Sequence, residues 1–103
     1  MLKHIVMWKF KDEAEGRSKA ENCVLVKKQL EALPALIPVI RSLEVGINAV
    51  PAAMAWDMVL VTEFASKDDL DLYAMHPEHV KVSEYVGKVR TDRAVVDYET
   101  ALQ

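Results

Sequence analysis

Residues 57–65 read Asp57-Met58-Val59-Leu60-Val61-Thr62-Glu63-Phe64-Ala65. β-Branched and aromatic residues at this density make a strand, and alternate positions along a strand point to opposite faces. Met58, Leu60, Thr62 and Phe64 share one face, and Val59, Val61 and Glu63 share the other. Both faces are largely apolar, so the strand needs cover on both sides.

The chain on either side of this strand supplies the rest of a sheet. His4–Phe10 has the same character, with His4, Val6, Trp8 and Phe10 on one face and Ile5 and Met7 on the other. A polar break at residues 11–16 precedes a helical period from about Arg17, where Cys23, Val26, Leu30 and Leu33 recur three or four apart. Pro34 and Pro38 end that helix. A second strand over about Arg41–Asn48 puts Leu43, Val45 and Ile47 on one face, and Asn48–Trp56 is a long hairpin connection of small residues. Ser66-Lys67-Asp68-Asp69 reads as a capping box opening a short helix. His76-Pro77 breaks it, with Pro77 at the first position of a helix to about Val89. A last strand covers about Thr91–Tyr98.

The order β-α-β-β-α-α-β predicts an α+β, ferredoxin-like fold: a four-stranded antiparallel sheet with helices on one face. Helices cover one face only, so a monomer is expected to expose Val6, Trp8 and Phe10 with residues of the third strand. Such a patch exceeds the few hundred Å² that monomers leave bare, and a second copy is the simplest cover. A homodimer is expected.

Composition bounds the function. At 103 residues the chain is one domain, residues 1–103. A net charge of −3 without a basic run argues against a nucleic-acid partner. One cysteine, Cys23, excludes a disulfide framework and any all-cysteine metal site, and on the apolar helix stripe it reads as buried and inert. No apolar run reaches the ~18 residues of a membrane span, and the N-terminal residues do not resemble a signal peptide. A cytoplasmic protein is expected.

Four segments resemble the stress-responsive A/B barrel domain (Dabb) family: Lys3–Lys11, Ile40–Gly46, Tyr73–Val80 with its His-Pro-x-His motif, and Val95–Tyr98. The resemblance covers essentially the whole chain. It implies a dimeric α/β barrel, two sheets facing each other around a shared interior with helices outside. The family includes stress-induced plant proteins, bacterial members without a known activity and a plant polyketide cyclase, so fold alone does not decide the chemistry.

By the same resemblance, His4, Tyr73 and His79 are the candidate site residues. The implied chemistry is aldol closure of a poly-β-ketone, with His79 as base and His4 and Tyr73 orienting the substrate or holding an oxyanion. The cyclase also uses a tyrosine on its first long helix, and Cys23–Leu30 contains none. That departure speaks against the same substrate and leaves a related reaction on a small apolar or aromatic molecule.

Other readings stand beside this one. His4 reads equally as an interior histidine with a polar partner, Tyr73 as packing, and His76 as a helix N-cap. His76 and His79 lie three apart with Glu78 between, but Pro77 breaks the register and no third ligand is near, so no metal site is assigned. No motif marks a haem ligand and no cofactor is assigned; a loosely held magnesium near the barrel mouth stays open by the family resemblance alone, with nothing in the spacing to support it. A cofactor-free monooxygenase would use Trp8 and Phe10 as ring-stacking walls, residues that otherwise read as dimer core. Met7, Met54, Met58 and Met75 read as core filling. A non-catalytic stress or structural dimer is the remaining alternative.

Overall fold

In the computed structural model, residues 1–100 are described, so the last three of the expected domain lie outside the described residues. The strands are β1 (Leu2–Phe10), β2 (Glu13–Ala14), β3 (Arg17–Ser18), β4 (Ser42–Ile47), β5 (Met58–Phe64) and β6 (Arg90–Glu99). The helices are α1 (Lys19–Glu31), α2 (Lys67–Met75) and α3 (Pro77–Val89), with a short 3₁₀ turn at Leu33–Ala35. Four strands form one antiparallel sheet in the order β4-β5-β1-β6, the expected ferredoxin-like arrangement.

Strand register decides which residues share a face. His4 lies opposite Thr62 and Asp97, Val6 opposite Leu60 and Val95, and Trp8 opposite Met58 and Arg93. Directly opposed residues point the same way. The helix-covered face therefore carries His4, Val6, Trp8 and Phe10 beside Met58, Leu60, Thr62 and Phe64, all of them buried.

This corrects the expectation that Val6, Trp8 and Phe10 face a second copy. They sit in the protomer's own core, where burial of each stabilises by about 1.5–3 kcal/mol. The uncovered face is the opposite one, with Ile5, Met7, Val59 and Val61 only partly buried and Val96, opposite Ile5, exposed. Met54 and Met75, expected in the core, are 88% and 78% exposed. Cys23 is buried as expected, and burial pushes its thiol pKa up.

Two local features differ from the sequence reading. The polar break holds a small hairpin, β2 against β3, whose turn residues Glu15 (φ 53°) and Gly16 (φ 74°) are both left-handed, as a two-residue type I′ turn requires. A complete capping box opens α1: the Ser18 hydroxyl accepts from the Glu21 N–H, and the Glu21 carboxylate accepts from the Ser18 N–H. At α2, among the described residues, the Ser66 hydroxyl accepts from the Asp69 N–H without a return bond.

Candidate functional site

The site is built by the junction between α2 and α3. His76 is both the C-cap of α2 and the N-cap of α3, with an extended backbone (φ −64°, ψ 133°). A residue before proline is pushed to that region because the proline ring crowds the helical alternative. The His76 Nδ1 accepts from the Glu78 N–H at 3.1 Å, so the ring is the cap, as the sequence reading had it. The break turns the chain so that Tyr73, late in α2, meets His79, in the first turn of α3. Their ring centroids are 4.3 Å apart at an interplanar angle of 46°.

His4 comes from the middle of the sheet. Its ring lies 6.3 Å from that of Tyr73, and Phe64 packs against Tyr73 at 5.1 Å. All three candidate residues line one cavity of about 320 Å³, with Trp8, Ser83 and Arg93 also in its wall. The cavity lies between the sheet and α3 within one protomer. The space holding these residues is thus on the helix side of the sheet, whereas the sequence reading placed it between two sheets. Trp8 reaches it and Phe10 does not.

Each polar group has a defined state. The Asp97 carboxylate can only accept, so the His4 Nδ1 that contacts it carries the proton. No hydrogen bond engages His4 Nε2 among the described residues. The His79 Nδ1–H donates to the Ala74 carbonyl at 3.1 Å, which leaves Nε2 with its lone pair. Burial holds the half-buried His79 imidazole below the ordinary histidine value, with the nearby charges of His4, Arg93 and His76 adding to the effect and the Ala74 bond opposing it.

Tyr73 is 1% exposed, and its hydroxyl has no hydrogen-bond partner among the described residues. Burial pushes its pKa far above the ordinary phenol value, against the charge of Arg93. It is a donor across the physiological range and not a base. Among the described residues, no three His, Cys, Asp or Glu side chains gather as metal ligands.

Asp97, Arg93 and Ser83 are site residues that sequence reasoning did not single out. Asp97 stands 93 residues from His4, and only the β1–β6 register shows that the two meet.

The stress responsive A/B barrel domain model matches residues 2–100. The chain is 33% identical over 99 residues to a stress-response A/B barrel domain-containing protein of Arabidopsis thaliana, covering 95% of this chain and 36% of that protein. The chain thus spans about a third of the length of that relative. A dimeric protein of unknown function and ferredoxin-like fold from Bacteroides fragilis superposes with a TM-score of 0.81 at 41% identity, covering 96% of this chain and 95% of that one. Hydroxynitrile lyase from Passiflora edulis shares the fold, with a TM-score of 0.78 at 16% identity over 94% of this chain and 90% of that one. Family match, relative and fold agree: this chain belongs to the stress-responsive A/B barrel domain family.

Proposed function

We propose that the protein binds a small molecule with an apolar or aromatic body in the cavity under α3 and acts on it by acid–base chemistry at His79. The observation that carries this reading is the Tyr73 hydroxyl, buried, without a partner, and in ring contact with an imidazole whose Nε2 is unprotonated. Leaving a buried hydroxyl unpaired costs about 1–3 kcal/mol, and a ligand oxygen that accepts from it recovers that cost.

The chemistry follows from the protonation states. Neutral His79 Nε2 takes a proton from a carbon beside a carbonyl. The C–H electron pair moves into the carbonyl, forming an enolate oxygen that accepts from Tyr73 O–H. The enolate carbon then bonds to a second carbonyl carbon, and the imidazolium returns its proton to the new alkoxide. The reaction is a cyclase- or lyase-like step that needs no oxidant. His4, its ring fixed by Asp97, orients the substrate from the sheet side.

In this reading the protein is a homodimer paired through the sheet face that no helix covers. Ile5, Met7, Val59 and Val61 form an apolar surface that no helix of the protomer covers, and the 41% identical Bacteroides fragilis protein is dimeric.

Histidine titration by NMR tests the site, in the wild type and in His79→Ala, with a panel of aromatic and β-diketone ligands. Titrations of His4 and His79 that move together on ligand addition support a working cavity. Independent titrations that no ligand disturbs would sink it and leave a structural dimer.

A further inference from the structure

We propose that the molecule taken by this cavity is an anion, an apolar or aromatic body carrying a carboxylate, and that Arg93 is the side chain that selects it, with Arg90 beside it. The inference rests on the cavity being the ligand site and adds the chemical class of the ligand.

The lining is charged with one sign. Arg90 and Arg93 both reach the cavity wall, and no aspartate or glutamate does. Arg93 lies opposite Trp8 in the register and therefore on the same sheet face as His4 and Val6. Asp97, two positions beyond Val95 on that face, is held by His4. Asp92 lies opposite Lys9, on the other face. Among the described residues, no ion pair and no side-chain hydrogen bond engages Arg90 or Arg93, although lysines elsewhere pair with carboxylates five times. Two guanidinium forks in a wall of mixed polar and apolar side chains, with no carboxylate of the described residues paired to them, make the donor set for a planar oxyanion.

Two further observations bear on where such a ligand fits. Arg93 lines the same cavity wall as Tyr73 and His79, so an anion bound to it shares the space that holds both. Gly87 is also in the wall, and a Cβ built there meets nothing within 4 Å. A larger side chain at Gly87 therefore has room at the cavity wall, in the same wall as Arg90 and Arg93.

The test uses the full chain and two probes of one shape, 4-pentylbenzoate and 4-pentylbenzamide, with binding read by calorimetry and by Trp8 indole shifts in NMR. The carboxylate is expected to bind about tenfold more tightly than the amide, with the preference shrinking as salt is raised. Arg93→Gln is expected to remove that preference, bringing carboxylate affinity down to about that of the amide. Gly87→Leu, a substitution that favours the helix and fills the cavity, is expected to block both probes.

Equal affinities, or a preference that survives Arg93→Gln combined with Arg90→Gln, would overturn the anion assignment. If Gly87→Leu still blocks both probes, the cavity reading survives that result. Binding that Gly87→Leu leaves untouched, or no binding of either probe, would overturn the cavity reading and this inference together.

Discussion

The phenol of Tyr73 and the imidazole of His79 meet at 4.3 Å between centroids although they belong to different helices. The residue that separates the helices, His76, also caps the second one. Tyr73→Phe keeps the ring contact and deletes only the unpaired hydroxyl. The variant is expected to be as stable as the wild type or more stable by up to about 1 kcal/mol, because no bond is lost and a buried polar atom is removed. Ligand affinity is expected to fall about tenfold. A loss of stability above about 1 kcal/mol in denaturant titration would show that the hydroxyl has a partner in the free protein.

The lowered pKa of His79 makes stability depend on pH with a definite sign. The folded state binds this proton less readily than the unfolded chain, whose imidazole titrates near 6.5. The contribution is complete above that value and is lost as pH falls through the lowered folded value. Urea midpoints of the wild type are therefore expected to drop from about pH 7.5 to about pH 5 more steeply than those of His79→Gln. Parallel curves for the two proteins would contradict the assignment.

Asp97→Asn replaces the carboxylate that fixes the Nδ1 proton of His4. Asp97 has 40% of its side chain exposed, so water screens the pair and the expected stability loss is under about 1 kcal/mol. The informative readout is the His4 ring nitrogen spectrum. The wild type should show a single tautomer protonated at Nδ1 above the histidine titration, and the variant a mixture.

Neighbouring residues of β5 separate folding from assembly. Leu60 is 2% exposed on the helix side, and Val61 points to the uncovered side. Leu60→Asp places an unpaired charge in the core and is expected to unfold the protein. Val61→Asp is expected to leave a folded monomer by analytical ultracentrifugation, with its circular dichroism unchanged. A dimer that survives Val61→Asp would move the interface elsewhere.

The sequence carried the strand positions, the helix break at His76-Pro77 and the fold class, because periodicity and proline act locally. It did not say which sheet face the helices cover. Residues 58–64 are largely apolar on both sides, so alternation separates Met58, Leu60, Thr62 and Phe64 from Val59, Val61 and Glu63 without saying which set turns inward. Tyr73, His79 and His4 were named from family resemblance, and the structure brings all three to one cavity. Asp97 was beyond reach because its meeting with His4 depends on register between the two ends of the chain. The hairpin at Glu13–Ser18 was missed because two-residue strands have no period to read. The Ser18–Glu21 capping box was visible as Ser-x-x-Glu but lay inside a helix placed to begin at about Arg17.

The cavity under α3 is walled by one chain, on the opposite side of the sheet from the face assigned to the partner. On the proposed function, occupancy is therefore expected per subunit, each chain of a dimer supplying its own His4, Tyr73 and His79. In a mixed dimer of wild-type and His79→Gln chains, the wild-type half should work at its full rate, and total turnover should scale with the number of intact chains.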